Sequence, residues 1–352
     1  MSVSSDRRAE AAAVGSSIRA KAPLRISFAG GGTDVPPYPE REGGLVLNAT
    51  INRYAHGTLL PRDDERIHIQ SLDLGISAAY DGRQALVFDG RLDLAKSAIR
   101  EIGDIHAGLD LMLYSNVPPG SGLGSSSTMM VTLVGLLAAF HRLSLTTYEL
   151  AELAHHLERE RLGIKGGLQD HYAAAFGGFN FIEFGGGQTV VNPLRVADDT
   201  ILELEHNLLL CYTGETRQSD RIIEDQTARF EGDEDATLEG LRRQKELAVA
   251  MKETLLRGDL RSFGALLGDA WEAKKLMSPR ITTERIEEMY DEARRHGAIG
   301  GKVTGAGGGG FMLLYCDDRR KHEVAAVLER MGARVDEFAF AIDGLRTWRV
   351  SG

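Results

Sequence analysis

Pro118-Pro119-Gly120-Ser121-Gly122-Leu123-Gly124-Ser125-Ser126-Ser127 is the stretch that decides how this chain reads. It follows a β-prone run, Leu109 to Ser115, and opens an apolar run, Ser126 to Arg142, that predicts a helix. A glycine-rich link from strand to helix makes an anion cradle. Glycines let backbone approach a polyphosphate, the first-turn N–H groups lack intrahelical acceptors, and the helix dipole places partial positive charge at that end. A serine hydroxyl in the first turn is also a hard oxygen ligand for Mg²⁺. No Gly-Lys-Ser/Thr closes the loop, so this is not a Walker P-loop. Taken alone, the segment also fits a flexible glycine loop with a serine cap.

Two further glycine-rich segments flank it. Ala22 to Asp34 runs a strand into Gly30-Gly31-Gly32 and then Thr33-Asp34, which by itself is also a tight turn. Gly301 to Phe311 is denser in glycine than a solvated loop requires, a density that lets backbone sit against a ligand or another loop. Neither is followed by the helix and acidic residue of a dinucleotide fingerprint.

Around these segments the chain is ordinary for a globular protein: 352 residues, 43% hydrophobic and 26% charged, long enough for two cores. A net charge of -10 argues against nucleic acid or an anionic membrane as partner, so an anionic substrate must be gripped by local donors. The most apolar run, Met129 to Phe140, is too short to cross a bilayer. Residues 1–17 lack the apolar stretch of a signal peptide and read as a disordered tail. With two cysteines, Cys211 and Cys316, in no ligand-like spacing, a reducing, cytoplasmic setting is expected.

Short β-prone runs predict strands at Arg25–Phe28, Leu45–Ile51, Gly57–Leu60, Arg66–Gln70, Ala85–Phe88 and Leu109–Ser115. Thr147 to Leu162 predicts a helix with Leu150, Leu153, Ala154 and Leu157 on one stripe. Strand-like runs return at Phe179–Phe184, Val190–Val196 and Ile201–Cys211, followed by a long polar helical region over 219–256. A last amphipathic helix carries Ile286, Met289, Tyr290 and Ala293 and stops at His296-Gly297, before strands between Gly301 and Tyr315. Strands and helices mix without strict alternation, which predicts an α+β architecture of two domains, 18–190 and 191–352.

The order of the three glycine segments, Pro23 to Asp34, Pro118 to Thr128 and Lys302 to Phe311, resembles the motifs of the GHMP kinases, the family of galactokinase, mevalonate kinase and homoserine kinase. The resemblance covers about residues 20 to 350. It implies a ribosomal-protein-S5-like N-terminal domain that binds ATP, a ferredoxin-like C-terminal domain, and an acceptor between them. Gly30 to Asp34, Val46-Leu47-Asn48-Ala49-Thr50-Ile51, Gly166 to Gly178 and Lys274-Lys275-Leu276 look most like the D-glycero-D-manno-heptose 7-phosphate kinases. Galactokinases carry Glu-His where this chain has Gly31-Gly32, which speaks against galactose.

By that resemblance Pro118, Gly120, Ser121, Gly122, Leu123, Gly124, Ser125, Ser126 and Ser127 hold the nucleotide. Asp170, in Gly-Leu-Gln-Asp, is the carboxylate that orients the acceptor hydroxyl, and Arg25 lies beside it and the transferred phosphoryl group. An isolated Asp in a glycine-bounded turn is otherwise a helix cap. Ser126 and Glu158 match the Mg²⁺ pair, although Glu160 flanks the same apolar stripe and stays open. Gly31, Gly32, Thr33 and Asp34, with Gly307 and Gly308, fall to the substrate. An acceptor already carrying phosphate needs a cationic pocket; Arg217, Lys274, Lys275 and Lys165 are the candidates, and the sequence does not choose among them.

The expected reaction is transfer of the ATP γ-phosphoryl group to the anomeric hydroxyl of a heptose 7-phosphate. The alternatives are a kinase for another sugar, such as fucose, a non-catalytic sugar-binding regulator of the same fold, or a nucleotide-dependent decarboxylase.

Overall fold

The computed structural model describes residues 16–82, 85–102, 108–215, 219–317 and 319–351. Along the first half run β1 (Ser17–Ala29), α1 (Tyr38–Glu42), β2 (Gly44–Pro61), β3 (Arg66–Ser71), β4 (Ile76–Asp81), α2 (Asp93–Glu101), β5 (Leu109–Ser115) and α3 (Ser125–His141). There follow α4 (Thr147–His155), a π-helical turn (His156–Arg161), α5 (Gln169–Phe176), β6 (Phe179–Gly185), β7 (Gln188–Pro193), α6 (Asp198–Asn207) and β8 (Leu208–Tyr212). The chain ends with α7 (Ser219–Glu231), α8 (Asp235–Leu256), α9 (Leu260–Lys275), α10 (Glu284–Arg295), β9 (Ala298–Val303), β10 (Phe311–Cys316), α11 (Lys321–Arg330), β11 (Arg334–Asp336) and β12 (Arg346–Val350).

The first sheet has the order β12-β1-β2-β5-β3-β4, with β6 on the other half of β2 and β7 beyond it. Only β3 and β5 pair in parallel; the rest is antiparallel. The two runs expected at Leu45–Ile51 and Gly57–Leu60 are one long strand, whose first part pairs β6 and whose second part pairs β5. Helix α3 is apolar on every side because it lies under this sheet, walled in by α2, α4 and α5.

The second sheet is antiparallel in the order β11-β8-β10-β9. Its side chains alternate as the strand period requires. Leu208, Leu210, Phe311 and Leu313 join a core that also holds Leu24, Ile26 and Phe28 of β1, while Leu209, Cys211, Met312 and Leu314 face α10 and α11. One core therefore joins the two sheets. Phe28 sits at its centre, with the Phe263 ring edge-on at 5.2 Å; burial of such a ring is worth roughly 1.5–3 kcal/mol.

The structure departs from several of these expectations. Ala85–Phe88 is not a strand: the carbonyls of Leu86 and Val87 are met by Arg100 and Lys96 of α2 rather than by a neighbouring strand. Ile201–Cys211 divides into α6 and β8, since Asp198-Asp199 starts a helix on which Leu202 is exposed and Leu204 buried. The region 219–256 is helical as expected, in two helices separated at Gly232-Asp233, where Asp233 takes φ +53°. Near the expected division at residue 190 runs β7, and β12, from 191–352, pairs with β1. Ser17, placed in the tail by its sequence, begins β1; residues 1–15 lie outside the described residues.

Candidate active site

Helix α3 opens at Gly124, which takes φ +77°, and no side chain caps its first turn. That turn lines a cleft of about 510 Å³, through Ser125 to Ser127, together with Gly120, Gly122, Gly124, Arg25, Asp34 and Asp170. The glycines of this loop serve a second purpose. A side chain at Gly122 would meet Thr304 oxygens, one at Gly305 would meet the Gly122 backbone, and one at Gly310 would meet Ser121. The density of the third segment thus stacks one glycine loop on another.

Arg25, near the end of β1, makes the central contact. Its Nε donates to Asp170 Oδ1 at 2.6 Å, its Nη2 lies 2.6 Å from the same oxygen, and its Nη1 donates to the Gly122 carbonyl at 2.8 Å. Asp170 stands in the first turn of α5, and a Cβ on Gly124 would lie 3.1 Å from its carboxylate. So the carboxylate is in contact range of the residue that opens α3. Asp34 is 1% exposed and accepts from the Gly32 and Gln169 N–H groups, both at 3.1 Å. Burial raises its pKa, those two bonds oppose the rise, and nearby Asp170 adds to it.

Beside the serines, Ser126 Oγ donates to Glu158 Oε1 at 2.6 Å and His171 Nε2 meets Glu158 Oε2 at 2.6 Å. Burial alone would raise the Glu158 pKa; the His171 bond, Arg159 and Ser126 overcome it and hold it at about 2. The π-helical turn turns Glu158 inward and leaves Glu160 exposed on His156. Two hard oxygen donors at an open helix end fit a Mg²⁺ ion whose remaining ligands are phosphate and water.

Two buried lysines also line the cleft. Lys302 Nζ donates to the Phe28 carbonyl at 2.8 Å, and Lys274 Nζ to the Val303 and Gly305 carbonyls. Burial, with Arg25 adding to it, pushes the Lys302 pKa down to about 7; burial, Lys302 and Arg25 push that of Lys274 well below its usual value. From about 7 up to 10.5 the unfolded chain binds a proton at Lys302 that the folded protein does not. Stability contributed by this group therefore rises with pH across that window. Thermal unfolding midpoints of the wild type should climb relative to those of Lys302→Met through the window; parallel curves would refute the assignment.

The family described as GHMP kinases N terminal domain matches residues 92–178, and that described as GHMP kinases C terminal matches residues 251–334. Over 338 residues the chain is 40% identical to D-glycero-alpha-D-manno-heptose 7-phosphate kinase of Campylobacter jejuni, covering 95% of this chain and 99% of that one. The chain belongs to the GHMP kinase family. The crystal structure of a D-glycero-D-manno-heptose 1-phosphate kinase from Bacteroides thetaiotaomicron superposes with a TM-score of 0.81 at 36% identity, covering 95% of this chain and 100% of that one. The bifunctional fucokinase/GDP-fucose pyrophosphorylase of Arabidopsis thaliana is 28% identical over 315 residues, 85% of this chain and 30% of that protein.

Not every residue expected at the site of this GHMP kinase lines its cleft. Gly31, Gly32 and Asp34 do, but the Thr33 hydroxyl is buried on the Gly30 and Leu45 carbonyls. Ser121 and Leu123 are buried behind the loop, and Pro118 stands exposed outside the cleft. The Gly308 N–H is taken by the Ile281 carbonyl, and a side chain at Gly307 would strike Ile281. Lys275 points away, paired with Glu272 and Glu287, while Lys274 and Lys165 line the cleft. Arg217 lies outside the described residues. Arg159, His171, Lys302 and Gln226 were not singled out by sequence, yet Arg159 bonds Ser127 Oγ, and Gln226 bonds the Gly32 carbonyl from α7. Arg159 and His171 had a signal, since each adjoins a residue already assigned.

Proposed function

We propose that this GHMP kinase transfers the γ-phosphoryl group of ATP to the anomeric hydroxyl of D-glycero-D-manno-heptose 7-phosphate, giving the 1,7-bisphosphate, in the cytoplasm. The observation that carries the reading is the Arg25–Asp170 pair, set against the glycine that opens α3. A triphosphate on the first-turn N–H groups then presents its terminal phosphorus toward the hydroxyl that Asp170 accepts from. Most of such a barrier is lowered by positioning and by cationic groups at the transferring phosphoryl, and Arg25 is the cation nearest the accepting carboxylate. Ser126 and Glu158 hold Mg²⁺, which neutralises phosphate charge when bound. Gly31, Gly32 and Asp34 meet the sugar. Lys274, which lines the cleft, answers the acceptor's second phosphate, whose negative charge favours the protonated amine that burial otherwise disfavours.

A coupled assay of ADP release over a panel of heptose 7-phosphate, the unphosphorylated heptose, fucose and mevalonate tests this. The largest kcat/KM is expected for heptose 7-phosphate. A larger value for fucose would move the protein to the alternative acceptor, and no ADP with any of the four would refute the proposal.

A further inference from the structure

Glu158 is 0% exposed, and its two oxygens do different work. Oε1 receives the Ser126 hydroxyl and faces the start of α3, with the Arg159 guanidinium 3.4 Å away. Oε2 is held by His171 Nε2 at 2.6 Å. An ionised carboxylate only accepts, so that imidazole nitrogen carries the proton. His171 is itself 0% exposed, one residue after Asp170 on α5, and its Nδ1 has no hydrogen-bond partner among the described residues. Its remaining close aromatic neighbour is the His155 ring, edge-on at 5.3 Å. The imidazole is therefore anchored through one hydrogen bond, and that bond goes to Glu158.

The terminal torsion of a glutamate is broad and roughly two-fold, so burial alone does not aim one oxygen at a ligand. A donor on the far oxygen does. Outer donors of this kind orient metal-binding carboxylates, and their loss typically weakens metal binding about 10–100-fold. Arg159 lies on the other oxygen: its Nη1 is 3.4 Å from Oε1, and its Nη2 bonds Ser127 Oγ and the Gly167 carbonyl.

We propose that His171 is a positioning residue for the divalent cation: its Nε2–H holds Glu158 Oε2 so that Oε1, together with Ser126 Oγ, is presented at the open end of α3. The inference rests on the Mg²⁺ reading above. Through the carboxylate, it joins the helix that carries Asp170 to the cation that accompanies the nucleotide.

Mn²⁺, followed by its electron paramagnetic resonance signal in the presence of a non-hydrolysable ATP analogue, is the probe. His171→Leu removes the donor, His171→Asn keeps a polar group but places its amide nitrogen near the Nδ1 position, and His171→Gln restores a donor near Nε2. The Mn²⁺ dissociation constant is expected to rise about 10–100-fold in His171→Leu and His171→Asn and to stay within about threefold of wild type in His171→Gln. Turnover at saturating Mn²⁺ should change little, so that the loss falls on the metal dependence. A thermal melt of each variant establishes folding, and if His171→Leu does not fold, the Asn and Gln pair decides. Equal Mn²⁺ affinity in wild type and His171→Asn would overturn the proposal, as would a Gln variant as weak as Asn. Wild-type protein that takes up no Mn²⁺ with the analogue would instead overturn the metal reading on which it stands.

Discussion

Asp170→Asn is expected to lower kcat by roughly 10³-fold, about 4 kcal/mol of lost transition-state stabilisation, while affinity for an ATP analogue stays within about threefold. The side chain keeps its size and can still accept from Arg25, but it cannot take the acceptor's proton or hold it with a charge. Asp170→Ala should lose as much turnover and also stability. It leaves the Arg25 guanidinium, 4% exposed, with the Gly122 carbonyl as its remaining hydrogen-bond acceptor among the described residues, and an uncompensated buried cation is costly. Steady-state kinetics, with displacement of a fluorescent nucleotide and a urea midpoint for each variant, separate the two effects. Turnover of Asp170→Asn within tenfold of wild type would remove Asp170 from the chemistry.

Asp170 and Arg25 were legible only through the resemblance to the GHMP kinases, whereas the glycine loop was legible locally. The glycine loop, the serines and the helix after them are contiguous, so a cradle at α3 was one of the two readings that the local sequence offered. Side-chain partners across the fold are not contiguous. Arg159 reaches Ser127 over 32 residues and Gln226 reaches Gly32 over 194, contacts that no spacing rule encodes. Glu158 and Glu160 are alike on a regular helix; the π-helical turn buries one and exposes the other. Lys274 and Lys275 are neighbours on α9, and only the packing of that helix shows which enters the cleft. Thr33 reads as a sugar-facing hydroxyl, whereas its position in the Gly30 turn demands an internal donor. The α+β class was legible from mixed strand and helix patterns. The return of β12 to β1 was not, because pairing over more than three hundred residues leaves no local trace.

Arg25→Met should cost about 10²–10³-fold in kcat, the loss seen when a donor to developing charge is removed. Its guanidinium uses Nε and Nη2 on Asp170 and Nη1 on Gly122, a fork that ties β1, α5 and the glycine loop together at one point. Lysine supplies the charge but not the fork, so Arg25→Lys should recover only part of the loss. The stability cost of Arg25→Met should fall below the roughly 3–5 kcal/mol of a fully buried broken pair, since the Asp170 side chain is 15% exposed and can take water. Lys302 adds an internal control. Burial sets most of its lowered pKa and Arg25 adds to it, so Arg25→Met should raise the lower edge of the Lys302 pH window, and so narrow it, without abolishing it. If Arg25→Met raised KM for the sugar and left kcat intact, the guanidinium would be binding the ground state. The phosphoryl group in flight would then have to be met by another basic group, with Lys302 and Lys274 lining the same cleft.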